Sequence, residues 1–535
     1  MKRTTSAAAT LAAAALVLTA CGGGGDEPGS EPRIDADSLL PPMGEECTAE
    51  QAGGTITMGE YVMLPTFAPG QGQHGVRGGS QSAAIYDRLM RWDAQNEEFV
   101  PQLAESLESN DDNSVWTLTL REGVNFSNGD PLTAEDVAFT IGLHQDPETR
   151  SVVMTDAMEV ADVEAVDPLT VEFTLDEPWA GFPTLLSGTA GEVIPQQAYE
   201  ASDPEEWERA PIGAGPFVLD EYIPDQKTVL QPNPDYYGGA VCPTLEFLRI
   251  PGSQGTFEAF QNDELQVSFL RGSKFVADAQ EAGARGFHQI TSSGSVINMN
   301  NGAAGYDGPL TDQRVRKAVA HALDRDLMDQ RLTDGTGQPT SALLAEASRF
   351  YDGQEGPTYD PERATELVEE VKADTGWDGA ITILISDGPE NVEAGVVTKA
   401  LLDAAGFNVT IENAPVSQVT ARQFTGDYEV VIGGLAVSDA DPASAFASGL
   451  TPGGATNLTG VDDPRLTDAI SELKAASDLE AQKEAYTALQ EIHNEIQPFT
   501  VIANAEEYVT VDDSVHGIDT TVASVVLFDN AYIEN

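Results

Sequence analysis

Positive charge, histidine and cysteine are all scarce in this chain of 535 residues. Only 27 Lys and Arg residues stand against 88 Asp and Glu residues, which gives a net charge of -61. A surface of this sign repels nucleic-acid phosphates and anionic lipid headgroups, so a nucleic-acid-binding role is excluded. The six histidines are scattered and none are paired at the spacing of metal ligands, so we expect no metal site and no cofactor.

Recognisable catalytic motifs are missing as well. The sequence contains neither a Gly-x-Ser-x-Gly nucleophile elbow nor a glycine-rich phosphate loop. A secreted hydrolase that acts through paired acids is an alternative, and it requires two carboxyl groups at a catalytic separation in one cleft. We predict a binding protein and not an enzyme.

The one extended apolar run lies at the N-terminus, where Ala7–Ala20 follows the basic residues Lys2 and Arg3. This order is typical of a secretory signal peptide. The run is shorter than the roughly 20 residues that a membrane-spanning helix needs, and no later stretch qualifies. We therefore expect residues 1–20 to be a signal peptide and the remainder of the chain to be exported.

The residues Leu18-Thr19-Ala20-Cys21 resemble a bacterial lipobox, in which the cysteine thiol is acylated and the signal is cut before it. The alternative is an ordinary signal peptide with an incidental cysteine. Residues 21–46 are rich in Gly, Pro, Ser and acids, a composition that does not fold and that predicts a flexible linker. We predict an extracytoplasmic protein that a lipid on Cys21 anchors to the bacterial cell membrane.

Two cysteines remain, Cys47 and Cys242. An even pair in an exported protein favours a disulfide, and two buried thiols are the alternative. The bond would close a loop of about 195 residues. It would also join the start of the folded part to a distant segment, which implies a domain built from discontinuous pieces.

Apolar periodicity predicts a mixed α/β chain. The segment 82–93 predicts a short helix, and 311–328 predicts one helix with an apolar stripe. Thr133, with Glu135 and Asp136 behind it, predicts the start of another helix. A strand, a helix and a strand follow in order at 380–386, 391–407 and 408–414.

The acidic segment 438–442, "SDADP", directly follows the strand-like apolar run Tyr428–Val437. Ligands bind at the ends of strands in α/β proteins. We therefore select Ser438, Asp439 and Asp441 as candidate ligand-binding residues. The alternative is that the two acids only cap a turn.

At this point the chain resembles the extracytoplasmic solute-binding proteins of family 5, which serve peptide and nickel ABC importers. The resemblance is carried by ordered segments along almost the full mature length: "WTLTLREGVNFSNGDPLTAEDVAFTI" (116–141), "PIGAGPFVL" (211–219) with "NPDYYGG" (233–239), "DQRVRKAVAHALDRDLM" (312–328) and "YDPERATELVEE" (359–370).

The resemblance implies a bilobed, periplasmic-binding-protein-like α/β fold with a hinge and an extra subdomain in the first lobe. Residues 47–92, 212–295 and 500–535 would form discontinuous lobe I. Residues 93–211 would form the inserted subdomain, and 296–499 would form lobe II. Closure of the hinge would trap the solute.

The resemblance also implies particular contacts with the solute. Relatives that bind peptides commonly carry an acid four positions before the proline of the "DP" loop, where it pairs with the ligand's ammonium group. Here that proline is Pro442 and the matching position is Ser438. Either Asp439 replaces the acid with a shift of one residue, or the pocket does not bind a free amino terminus. At the crossing between lobes, Asn298, Met299 and Asn300 either face the ligand or shape the hinge.

We therefore expect a monomeric substrate-binding lipoprotein that delivers a peptide or similar small solute to an ABC permease and ATPase. A non-peptide ligand is the alternative: a metal chelate, an oligosaccharide or a siderophore-like compound. Sparse histidines argue against direct capture of a metal, and only five tryptophans are available for stacking on sugars. A sensor or adhesion protein that kept the fold without transport is a further alternative.

Overall fold

The computed structural model describes residues 47–48, 51–71, 78–94 and 96–534. The predicted signal peptide, Cys21 and the linker to residue 46 lie outside the described residues. In the described part, none of the helices combines the length and the apolarity needed to cross a membrane.

The strands are β1 (Thr55–Glu60), β2 (Met90–Asp93), β3 (Glu98–Pro101), β4 (Ala104–Ser109), β5 (Val115–Leu120), β6 (Val160–Asp167), β7 (Thr170–Leu175), β8 (Phe217–Ile223), β9 (Lys227–Pro232), β10 (Thr244–Arg249), β11 (Val267–Arg271), β12 (Gly286–Met299), β13 (Gln338–Pro339), β14 (Ala380–Ser386), β15 (Asn408–Ala414), β16 (Val430–Gly433), β17 (Phe499–Val511), β18 (Val515–His516), β19 (Asp519–Thr521), β20 (Val525–Leu527) and β21 (Tyr532–Ile533).

The helices are α1 (Gly79–Tyr86), α2 (Ala134–Gln145), α3 (Met154–Ala157), α4 (Pro183–Ser187), α5 (Gln196–Ala201), α6 (Pro204–Arg209), α7 (Ser253–Gln261), α8 (Ser273–Glu281), α9 (Gln313–Ala322), α10 (Arg325–Leu332), α11 (Pro361–Thr375), α12 (Pro389–Ala404), α13 (Val416–Phe424), α14 (Pro442–Leu450), α15 (Pro464–Ala475) and α16 (Leu479–Ile496).

One large mixed sheet runs through the molecule in the order β15-β14-β16-β12-β17-β11-β1-β10-β9-β8, and β13 pairs with β17 beside it. Strands β14 and β15 are parallel and joined by α12, as the predicted strand–helix–strand pattern requires. A separate antiparallel sheet has the order β4-β5-β7-β6.

The long strands β12 and β17 connect the two halves of the large sheet. They pair with each other from Gly286 opposite Thr510 to Asn298 opposite Phe499, and the register shifts near Ser295. Strand β11 meets β17 along residues 507–511 of β17, and β16 meets β12 along residues 296–299 of β12. The predicted lobe boundary at 499/500 therefore lies inside a continuous strand.

Separate hydrophobic cores form on the two sides of this strand pair. On one side, Phe217, Phe247 and Val509 belong to the core under β1 and β8–β11. On the other side, Ile383 and Val430 pack against α9, α11 and α12, and a neighbouring core lies around α14–α16. This arrangement gives the sheet a structural division at β12 and β17.

The segment predicted as an inserted subdomain has a core of its own, in which the four-stranded sheet packs on α2 and α4. This core also includes Leu89 and Ala214, a few residues beyond the predicted limits. Helix α2 begins where the sequence predicts, because Thr133 and Asp136 form a capping box that satisfies the free N–H groups of the first turn.

Two helix predictions differ from the structure. The predicted helix 82–93 ends at Tyr86, because Asp87 has a positive φ of 59° and β2 begins three residues later. The predicted helix 311–328 is divided into α9 and α10, because Leu323 is extended and Asp324 caps a new helix by accepting the N–H of Leu327.

Cys47 and Cys242 form a disulfide, with Cα atoms 6.1 Å apart. The bond attaches the first described residues to the segment before β10, and the Gly53 N–H donates to the Cys242 carbonyl at 2.9 Å. The start of β1 is thereby fixed beside its parallel neighbour β10.

Replacing both cysteines (Cys47→Ser with Cys242→Ser) should lower the free energy of unfolding, because the unfolded chain regains the entropy of a loop spanning 195 residues. The chain-entropy model gives a loss of about 5 kcal/mol for a loop of this size. Urea unfolding of the variant and of the wild type measures it, and reductant should affect the wild type alone. Equal unfolding midpoints would contradict the expectation.

Candidate ligand-binding site

A cavity of about 220 Å³ lies where β12 meets the loop after β16. Ser438 and Asp439 line it, as do residues of β12 and of the segment after β19. The loop is held there because Val437 pairs with Ser292 of β12 in an isolated bridge. Two of the three acidic-loop candidates therefore lie at this cavity, and their contact with a ligand stays a prediction.

Asp439 is a largely buried carboxylate with few partners of its own. The Ser348 hydroxyl donates to it, and so does the backbone N–H of Arg349. Burial raises the pKa of Asp439, and the bond from Ser348 opposes that rise. Among the described residues, no ion pair within 4.0 Å reaches Asp439, although the nearby positive charge of Arg349 also opposes the rise of its pKa.

Arg349 brings a positive charge to the same side of the cavity. Its guanidinium lies 4.8 Å from the ring centre of Trp92 and 4.5 Å from that of Phe350, as in cation–π pairs. Nη1 donates to the Glu97 carbonyl at 2.9 Å, which ties the 345–350 segment to the turn between β2 and β3. Nε is buried and has no hydrogen-bond partner among the described residues. The sequence offered no sign of this residue, because its neighbours come from distant segments.

The rest of the cavity lining comes from the paired strands and from the C-terminal segment. His288 lies 3.0 Å from the buried Glu506 through Nε2 and Oε1. The hydroxyl of Ser524 lies 2.6 Å from Oε1 of Gln289 and 3.0 Å from Oε2 of Glu507. Burial raises the pKa of Glu507. His288, Gln289 and Ser524 make the cavity polar on this side, with the two glutamates directly behind them, and the sequence predicted none of these groups.

Asp441 lies outside this cavity, although it was selected with Asp439. One carboxylate oxygen accepts the N–H of Ala443 at 3.1 Å and so caps α14. The other accepts the indole N–H of Trp179 at 2.9 Å. With both oxygens bonded to protein, this geometry corresponds to the alternative reading of Asp441 as a cap.

The candidates at the strand crossing do not line the cavity either. Met299 is fully buried in the core, and Asn298 is paired within the sheet opposite Val431. The side-chain amide of Asn300 donates to the carbonyls of Gly426 and Tyr428, both at 2.9 Å. These contacts agree better with the alternative in which the three residues shape the hinge, which stays a prediction.

A mixed α/β chain, divided at two long strands and with a polar cavity at the division, is the architecture of bilobed periplasmic binding proteins. Comparison with known families agrees. The chain belongs to the bacterial extracellular solute-binding proteins, family 5, whose model of the middle region matches residues 98–457.

Individual relatives are similar over most of their length. The dipeptide-binding protein of Escherichia coli K12 is 24% identical over 488 residues, covering 85% of this chain and 90% of the relative. The structure of the ABC transporter-associated periplasmic binding protein DppA from Helicobacter pylori, in complex with peptide STSA, has a TM-score of 0.75 at 23% identity and covers 91% and 99% of the two chains. AgaA from A. tumefaciens R10, in complex with agropinic acid, has a TM-score of 0.73 at 20% identity and covers 90% and 99%.

Replacement of Ser348 by Ala should raise the pKa of Asp439 further, because the lost hydrogen bond favours the charged carboxylate. The folded-state pKa of Asp439 is already above its ordinary value. The contribution of Asp439 to stability therefore falls as pH rises from that ordinary value through the folded-state pKa. In Ser348→Ala, this fall in stability should continue to a higher pH.

Carboxyl-carbon NMR titration of the wild type and of Ser348→Ala measures this change. The Asp439→Asn variant identifies the resonance, which must be absent from its spectrum. An unchanged or lower pKa in Ser348→Ala contradicts the role given to the hydroxyl.

Proposed function

We propose that this chain is the extracytoplasmic receptor of an ABC importer, and that it captures a small peptide or similar organic solute in the cavity at Asp439. It would deliver this solute to a membrane permease and its ATPase. The observation that carries the proposal is the buried Asp439 carboxylate, which faces the cavity without an ion-pair partner among the described residues.

The charges around the cavity suit a zwitterion. An ammonium group beside Asp439 would form the close ion pair that this carboxylate lacks among the described residues, and a charge-assisted hydrogen bond is strong. Arg349 lies on the same side, with its guanidinium held between Trp92 and Phe350. Its guanidinium does not line the cavity, but its positive charge would attract the negative end of a zwitterionic ligand from nearby.

The volume of the cavity favours a short ligand. About 220 Å³ is available. Pockets for drug-sized molecules typically measure roughly 300 to 1,000 Å³, so a dipeptide or a molecule of similar size is favoured over a longer peptide.

The two halves of the sheet support capture by closure. We infer lobes close to those that the sequence predicts, with β12 and β17 as the crossing and the cavity beside it. Rotation of two lobes about the few residues where the chain crosses between them is a common hinge mechanism in binding proteins. A solute that contacts both Asp439 and the 520–524 segment would favour the closed form over the open one.

A non-peptide solute is the second candidate, and one observation favours it. The similar structure of AgaA holds agropinic acid, so a closely similar fold accepts a ligand other than a peptide. An oligosaccharide fits less well, because Trp92 is the single tryptophan among the described residues that line this cavity.

A thermal-shift screen with free dipeptides tests the proposal, since a ligand selective for the folded state raises the melting temperature. We expect dipeptide hits that bind roughly ten- to a hundredfold more weakly in Asp439→Asn, which loses a charge-assisted hydrogen bond. N-acetylated forms of the same dipeptides should bind as weakly to the wild type.

The matched control is Asp462→Asn, which removes the same charge from an exposed position on the same lobe. It should bind the dipeptides as the wild type does. Equal binding of free and acetylated dipeptides would contradict the role proposed for Asp439. Stabilisation by opine-like acids, sugars or chelates alone would favour the second candidate.

We propose further that Cys21 carries a lipid that holds the receptor at the outer face of the cell membrane, as its lipobox-like sequence suggests. In Cys21→Ser, the protein should move from the membrane fraction to the soluble fraction, and incorporation of labelled palmitate should be lost. Fractionation and immunoblotting measure the first effect. The control is Cys47→Ser, which should remain in the membrane fraction. Identical fractionation of Cys21→Ser and wild type would refute the anchor.

A further inference from the structure

A second contact between the two sides of the molecule lies away from the cavity. It joins the subdomain around α3 and the segment after β7 to helices α14 and α15. We call it the clasp and define it by six residues, three from each side: Asp156, Glu159 and Trp179 on the subdomain, and Asp441, Ser444 and Lys474 on the helices.

Directional bonds hold the clasp together. The Trp179 indole N–H donates to Asp441, as described above, and the Ala180 N–H donates to the Lys474 carbonyl at 2.8 Å. The ammonium group of Lys474 lies 2.9 Å from Oε2 of Glu159 and 4.9 Å from the centre of the Trp179 ring. The tryptophan is fully buried between these contacts and the core of the subdomain, where it packs on Phe182.

The backbone at Gly181 brings the two sides unusually close. A Cβ atom at this position would lie 2.5 Å from Cγ of Asp441, so only glycine fits without movement. The close packing of the subdomain against the start of α14 therefore depends on glycine at position 181.

The clasp also brings carboxyl groups together. The hydroxyl of Ser444 donates to Asp156 at 3.2 Å. Burial raises the pKa of Asp156 to about 6, and the charge of Asp441 adds to this rise. Among the charged groups that face Asp156, Lys474 opposes the rise and Glu159 adds to it. Burial raises the pKa of Asp441 as well, while the bond from Trp179 opposes it.

We propose that the clasp is a second determinant of solute affinity, which forms when the lobes close, separates when they open, and takes up a proton at Asp156 on closing. The proposal rests on the proposed function in that closure is what traps the solute. The six residues would then affect affinity without touching the ligand.

The direction of the pH effect follows from the two states of Asp156. In the open form its carboxyl meets water, so its pKa is near the ordinary value of 3.8, against about 6 in the clasp. Between these values the closed form binds more protons, so a falling pH favours closure. From pH 7.5 to pH 5 the closing equilibrium should shift about tenfold toward the closed form.

A fluorine-NMR experiment on the ligand-free full chain tests the proposal. Each of the five tryptophans is replaced by 5-fluorotryptophan, and Trp179→Phe assigns the resonance of interest. This resonance should move from its buried toward its exposed position as pH rises from 5 to 7.5. Trp377, which packs on Phe407 at a distance from the clasp, should not move.

The Asp156→Asn variant keeps the size of the side chain and removes its titration, so the Trp179 resonance should move much less with pH than in the wild type. Any movement that remains would come from Asp441, which bonds the indole directly. Asp162→Asn, which removes an exposed charge from the nearby strand β6, should behave as the wild type. A Trp179 resonance that does not move, or that moves equally in Asp156→Asn, overturns the proposal.

Calorimetric titration with a dipeptide hit completes the test. For each protein we compare the Kd at pH 7.5 with the Kd at pH 5. This ratio should be about tenfold larger for the wild type than for Asp156→Asn. The titration of Asp439 cancels from the comparison, because both proteins contain that residue. Equal ratios in the two proteins would show that the clasp does not affect solute affinity, and this result would overturn the proposal. Absence of any dipeptide binding contradicts the proposed function instead, and the ligand-free resonance then decides whether the clasp opens with pH.

Discussion

The antiparallel pairing of β12 with β17 is the constraint on which the rest of the structure depends. Each strand belongs to both halves of the sheet, so the two cores can move relative to each other only as far as this pair bends. The register shifts near Ser295 interrupt the ladder at the place where such a bend is least costly. Gly294 permits the close approach there, because a Cβ would lie 2.3 Å from the backbone nitrogen of Ala505.

The acidic loop 438–442 connects the cavity with the clasp, because Asp439 lines the cavity and Asp441, two residues later, belongs to the clasp. Asp439 points into the cavity, and Asp441 caps α14 and accepts the indole of Trp179. Since Ala440 between them is buried, a ligand that repositions Asp439 must act on a loop already fixed at its other end. Under the two proposals above, solute recognition and lobe closure would share this one short segment.

The sequence predicted features that depend on neighbours along the chain. Strand–helix–strand order identified β14, α12 and β15, and the position of Asp439 after a strand placed it at the cavity. The break at Leu323 was missed because an apolar stripe continues across both helices, although Asp324 is a capping residue that could have revealed it. Arg349 and His288 were missed because their partners are remote in sequence, so periodicity carries no information about their pairing.

The covalent ring closed by Cys47 and Cys242 encloses β1–β9, with the whole four-stranded sheet among them. A protease that cuts one exposed peptide bond within this ring leaves both ends attached through sulfur. The cleaved protein therefore stays a single molecule, and its fragments separate only if the disulfide is reduced. A first proteolytic cleavage within the ring therefore changes the connectivity of the backbone locally and releases no fragment.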